Sequence, residues 1–197
     1  MKFKKLTHSR AGRIALVAIP ATFLSTVLMA GVAQGAVPVS FAVSGSQFKI
    51  GASQLDGTGF SQYGGVAVQA DGKMHPVAIA NIGSASLADL CQSVVSQTPL
   101  GTLGLLIKAG GDGKPAKATA LQIGMTDLQG DATFTNIRIG VDASKVNTPS
   151  KGTPGEFAQD ADSVVIANLK QTAWSTQAGT FALTGMHLQL TGGTECF

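Results

Sequence analysis

Residues 36–197 predict a mainly β domain of antiparallel type, a sandwich, a barrel or a curved sheet, with one short helix. Two observations carry that class. Apolar residues alternate with period two over several short stretches, and glycine-marked turns separate those stretches. In 132–141 (ATFTNIRIGV), Thr133, Thr135, Ile137, Ile139 and Val141 share one face, with Phe134, Asn136 and Arg138 opposite. In 180–190 (TFALTGMHLQL), Ala182, Thr184, Met186, Leu188 and Leu190 alternate against Phe181, Leu183, Gly185, His187 and Gln189. Further strands are expected over 66–70, 76–81, 103–109, 121–128 and 163–171 and around Phe41 and Phe48, with Asp56-Gly57, Asp71-Gly72 and Gly111-Asp112-Gly113 as turns.

One segment departs from period two. Leu87, Leu90, Cys91 and Val94 fall at i, i+3, i+4, i+7, after Ser86 as N-cap and with Asp89 three residues on, so 86–97 is predicted as a helix ending before Pro99. The stretch 142–162, with Pro149, Gly152, Pro154 and Gly155, is expected to be an exposed loop. Val77-Ala78-Ile79-Ala80-Asn81-Ile82 is echoed by Val164-Val165-Ile166-Ala167-Asn168-Leu169, which keeps a parallel β-helix or solenoid as the alternative fold, although no steady period is found.

The formal net charge is +3, but Lys2, Lys4, Lys5, Arg10 and Arg13 all precede the first apolar run. With those five set aside, nine basic residues stand against 11 acidic ones, a formal charge of −2. No basic stripe interleaved with aromatics remains, so nucleic acid is not an expected partner. The basic segment and the apolar run 14–33 form a targeting segment, residues 1–35, preceding a single β-rich exported domain, 36–197. Small residues place signal cleavage between Gly35 and Ala36. The apolar run exceeds the usual signal core of about 7 to 15 residues, so retention as a membrane anchor is the alternative. Both readings put the domain outside, secreted or at the cell surface. There Cys91 and Cys196, the only cysteines, have one pairing open to them as a disulfide; two buried thiols are the alternative.

Catalytic motifs are incomplete. Gly51-Ala52-Ser53-Gln54-Leu55 and Gly59-Phe60-Ser61-Gln62-Tyr63 begin a G-x-S-x-G elbow and lack its second glycine, so both serines are read as ordinary loop residues. Ser46 and Lys49 spell S-x-x-K in a strand-like segment, where they do not share a face. His75, in a turn beside Pro76, and His187 are the histidines available as general bases. The pairs Asp127/Asp131 and Asp160/Asp162 are expected to be solvated surface. No metal and no cofactor is expected, and no catalytic residue is assigned.

The strings GASQLDGTGFSQYGG (51–65), LCQSVV (90–95), QGDATFTNIRIG (129–140), QTAWSTQAGTF (171–181) and the terminal Glu195-Cys196-Phe197 together resemble a family of exported actinobacterial proteins, of Streptomyces type. That family is of unknown function, and some of its members carry a cholesterol esterase label. The resemblance implies export and one β-rich domain. The expected function is a non-catalytic protein of the cell envelope or medium, binding a lipid or other apolar ligand or an envelope or membrane protein. A lipid-ester hydrolase with an unconventional site is the alternative.

Overall fold

The computed structural model describes residues 42–197 apart from Leu100. The targeting segment, its Gly35–Ala36 cleavage position and the strand expected around Phe41 lie outside the described residues. The elements are β1 (Phe48–Val68), β2 (Met74–Ala88), β3 (Leu90–Thr98), β4 (Gly101–Ala109), β5 (Ala116–Thr135), β6 (Arg138–Asp142), a 3-10 turn (Ala143–Lys145), β7 (Phe157–Gln177), β8 (Thr180–Ala182) and β9 (His187–Thr191). All nine strands join one sheet in the order β6-β7-β5-β2-β1-β3-β4-β9, with β8 beside β5 and a further pairing of β7 with β1. Every strand pairing is antiparallel, which excludes the parallel β-helix; the isolated bridge Val43–Gln69 is parallel. The molecule is a single antiparallel sheet of nine described strands, a sandwich or curved sheet rather than a barrel, in which β1 is hydrogen-bonded to β2, β3 and β7.

Several of the strands are pieces of longer runs. Gln54 faces Ala88 and Gly51 faces Cys91, one register across the β2–β3 break. Thr135 faces Ser163 and Arg138 faces Asp160, one register across the β5–β6 break. The expected strand 132–141 is therefore split at Asn136, whose backbone is left-handed at φ 53°. The expected strand 180–190 is likewise split, into β8 and β9, around Gly185 at φ 65°.

These breaks also set which side chains reach the core. Two seams cross the sheet where ladder pairs drop out together. One runs through Ala120, Gly83, Gly59 and Asp162, the other through Asp89, Ser53 and Asn168. Gly59 (φ 68°), Ala120 (φ 47°), Asp89 (φ 50°) and Asn168 (φ 54°) are left-handed. An inserted left-handed residue shifts the alternation of faces by one. The core accordingly steps by three at each seam: Ala118 to Leu121, Leu87 to Leu90, and Ile166 to Leu169 are all buried in one cluster.

The helix expected over 86–97 is therefore not formed; its residues end β2 and make β3. Its i, i+3 signature is the phase shift at Asp89, which turns Leu87 and Leu90 to the same side of a strand. Because the seam pairs strands that all shift together, the ladder resumes beyond it without slipping.

Ala120 is exposed and carries a Cβ in a conformation that costs an L-residue roughly 1 kcal/mol or more. Ala120→Gly is expected to stabilise the domain by about 0.5 kcal/mol and Ala120→Val to destabilise it, both read from urea midpoints.

Candidate functional site

Of the expected exposed loop 142–162, residues 157–162 begin β7, and the rest, exposed over much of its length but buried at Ala143, Val146 and Thr148, is a lid on the outer face of the sheet. Cross-strand pairing aligns Gln122, Asn81, Ser61, Asp160 and Arg138 in one row across five strands. Phe60, Ile82, Leu121 and Ala161, one position away, face the core, so this polar row faces outward. It is nonetheless buried at Ser61, Asn81 and Asp160, together with Thr148 of the lid. Hydrogen bonds run in one direction: Gln122 Nε2 donates to Asn81 Oδ1 (2.8 Å), Asn81 Nδ2 to Ser61 Oγ (3.2 Å), and Thr148 Oγ1 to the Ser150 carbonyl (3.1 Å). Ser61 Oγ lies 2.5 Å from Thr148 Oγ1 and supplies the link between them.

Asp160 is fully buried and takes a bidentate pair from Arg138 Nε (2.8 Å) and Nη2 (2.5 Å), with a third bond from the Asn147 amide (2.6 Å). Burial pushes its carboxyl up, but the Arg138 hydrogen bond, the Asn147 amide and the charges of Arg138 and Lys151 outweigh it and hold it below the ordinary value. Asp142 starts the lid, accepting from Ser144 Oγ and the Ser144 and Gly155 amides, and these bonds lower its pKa as well. Beneath the lid, Tyr63, Ala143, Val146 and Ala158 form a second small core. Gly152 sits against the Tyr63 ring so closely that a Cβ would come within 2.9 Å of it.

The chain end straps the opposite part of the same outer face. After β9 it crosses β4, where Gly104 leaves room for Gly193, then reaches β3 and β1. Cys196 and Cys91 are at disulfide distance, the Cys196 amide donates to buried Ser93 Oγ (3.0 Å), and Lys49 Nζ bonds Glu195 (2.8 Å) and the Phe197 carbonyl (2.9 Å).

On the inner face, the sheet runs past its core. Cross-strand neighbours share a face, so Ile50, Gln92, Ile107 and Leu188 form one row, and Phe48, Val94, Leu105 and Leu190 the next. Ile50 belongs to the core, whereas Leu188 is 49% and Leu190 70% exposed, with Leu103 and Met186 also exposed beside them. The result is an apolar shelf on β4 and β9, continuous with the hydrophobic interior. The interior itself is filled. Its cavity, lined by residues that include Ile50, Leu90, Leu169 and Phe181, offers about 10 Å³, room for one water. Two buried polar atoms on its lining residues, Gln171 Nε2 and Thr176 Oγ1, have no hydrogen-bond partner among the described residues. A shallow open groove of about 410 Å³ lies along the second seam, where Ser53 Oγ donates to Asp89 (2.7 Å) and Gln54 to Asp56 (2.9 Å).

Residues 44–197 match the family model DUF6230, described as a family of unknown function. The chain belongs to that family. No curated protein and no solved structure matches it.

The DUF6230 domain disperses the residues singled out for catalysis. Ser53 and Ser61 are strand residues of β1, not loop residues, and the Ser61 hydroxyl is buried under the lid. His75 stacks on Trp174, centroids 3.8 Å apart, and its Nε2 lies 2.8 Å from Gln69 Nε2. His187 is exposed on β9 beside Gln189. Among the described residues no serine hydrogen-bonds to either histidine, and no cluster of three potential metal ligands occurs. Lys49 bonds the chain end, not Ser46. Asp127 and Asp131 accept from Gln129 and Asn168, and Asp162 from Asn136. Asp160 is the correction to the solvated acidic pairs. Its burial was not readable because its partner, Arg138, lies 22 positions earlier on a different strand.

Asp160→Asn is expected to cost about 2 kcal/mol at neutral pH, less than a fully desolvated pair would lose because the Arg138 side chain is 56% exposed. The folded pKa of Asp160 lies below its unfolded value, so between the two the unfolded chain binds more protons and stability rises with pH. Urea midpoints of wild type and variant should differ above the ordinary carboxylate value of 3.8 and converge as pH falls through the lower folded value. For the cysteines, the intact protein is expected to gain the mass of two hydrogens on reduction. Replacing both by serine should remove up to about 4 to 5 kcal/mol of stability by the loop-entropy model, given a separation of 105 residues.

Proposed function

We propose that this protein is an exported, non-catalytic component of the cell envelope or medium that engages a lipid or other apolar partner through the β4–β9 shelf. The shelf carries the reading. Leu103, Met186, Leu188 and Leu190 stand exposed together at the rim of the core, where a soluble surface gains nothing from them. The core pocket lined by Ile50, Leu90, Leu169 and Phe181, about 10 Å³, is too small for an apolar ligand, which favours this surface as the place of contact. Export is supported by the basic and apolar leader and by two cysteines at disulfide distance. The polar row favours a structural role for Ser61 and Asp160, since their hydrogen-bonding capacity is committed to holding the lid.

The test is native mass spectrometry of protein purified from an exporting host, joined to flotation with neutral phosphatidylcholine vesicles. Expected are the mass of residues 36–197, or of the full chain if the leader is kept as an anchor, and a lipid-sized adduct or vesicle binding that Leu188→Glu/Leu190→Glu abolishes. A bare protein that ignores vesicles, or binding indifferent to that double variant, sinks the lipid reading.

A further inference from the structure

We infer that β9 is the pairing edge of a homodimer, in which a second copy adds its own β9 antiparallel across a two-fold axis at Gln189. This deepens the reading above and rests on it, since a second copy paired at the edge of the shelf doubles the apolar surface offered to a lipid. β9 ends the strand order: β4 occupies one of its edges, and no described strand pairs with the other. Exposed edges are ordinarily blunted by charge, proline or a bulge. The opposite end of the sheet follows that rule, since β6 is bounded by Arg138 and Asp142 and carries an irregularity between Ile139 and Val141. β9 does not. His187–Thr191 contains no proline, lysine, arginine or acid and pairs with β4 without a bulge, while His187, Leu188, Gln189 and Leu190 are all exposed.

What selects a second copy is the pattern of the strand. The sequence His-Leu-Gln-Leu-Thr is a palindrome of residue type about Gln189. A two-fold at that position sets Leu188 against Leu190 of the second copy, and Leu190 against its Leu188, on the inner face. Gln189 meets Gln189 on the other face, where one amide donates to the other, and His187 meets Thr191. No charged pair arises, so like copies approach without repulsion, and one patch complements itself as an isologous contact requires. The two shelves then join into one apolar surface, extending the sheet across the axis.

The test is sedimentation velocity on the purified protein over roughly 1 to 200 µM, the range a small interface calls for. A dimer is expected, and Leu188→Lys/Leu190→Lys should be monomeric with an unchanged circular dichroism spectrum. Gln189→Lys and Gln189→Glu probe the register: each places like charges opposite each other and should weaken the dimer roughly two- to fivefold, and mixing the two should restore it. A wild-type monomer throughout, a dimer untouched by the leucine replacements, or a Lys/Glu mixture no tighter than its components each overturns the proposal. A monomer that still binds vesicles overturns the pairing and leaves the lipid reading standing; a dimer that takes up no lipid supports the pairing and removes lipid from that reading.

Discussion

The phase of the strands is the constraint on which everything else depends. A strand of 21 residues, the length of β1 and of β7, would present a strict two-residue alternation if it were regular. Here the alternation is reset at each seam by residues with left-handed backbone, Gly59 and Ala120 at one, Asp89 and Asn168 at the other. Because paired strands shift at the same level, the hydrogen-bond ladder resumes in register. A reset on one strand alone would turn its next apolar residues outward against partners still facing in, the penalty of a register slip. The seams are thus a collective property, and a change at one strand is felt by its neighbours on both sides.

Curvature explains the dressing of the outer face. A sheet curled so that β7 returns to β1 encloses one core and leaves its convex side open to water. Two segments cover parts of that side by different means. The lid over β1, β2 and β7 is held by directional polar bonds and a buried carboxylate, whose desolvation is offset because Arg138 and the Asn147 amide satisfy it. The strap over β3 and β1 rests on small residues, a cysteine pair and the Lys49 contacts. Each covers small or polar positions, Ser61 and Asn81 beneath the lid, beside the Tyr63 ring, and Ser93 and Gly104 beneath the strap. An outward polar residue that is also buried therefore marks a covering segment.

Much of this was legible in the sequence, with one systematic error. The β class followed from stretches such as 132–141, and the Cys91–Cys196 proximity followed from there being two cysteines and an expectation of export. The helix over 86–97 failed because a phase reset imitates a helical period: Leu87 to Leu90 is a step of three in either structure. Strand length failed at Asp56-Gly57, expected as a turn, because the ladders to β2 and β7 pass straight through both residues in the middle of β1. The polar row was invisible because residues that are neighbours in it are 20 to 99 positions apart in the sequence, brought together by register alone. No short motif encodes that kind of site.

The shelf marks where the two coverings stop. Lid and strap both lie on the convex side, and neither reaches the inner face of β4 and β9, where the core rows run out into Leu188 and Leu190. The strap nevertheless bears on that surface, because it begins at Thr191, the last residue of β9, and is fixed to β3 through Cys196. An edge strand paired on one side only, and five residues long, has few bonds of its own to resist fraying. Anchoring the residues that follow it holds β9 against β4 and keeps its outer edge extended. A cross-link placed beyond the end of an exposed strand stabilises an edge that no described strand pairs, which is where order is needed if that edge is to meet a partner.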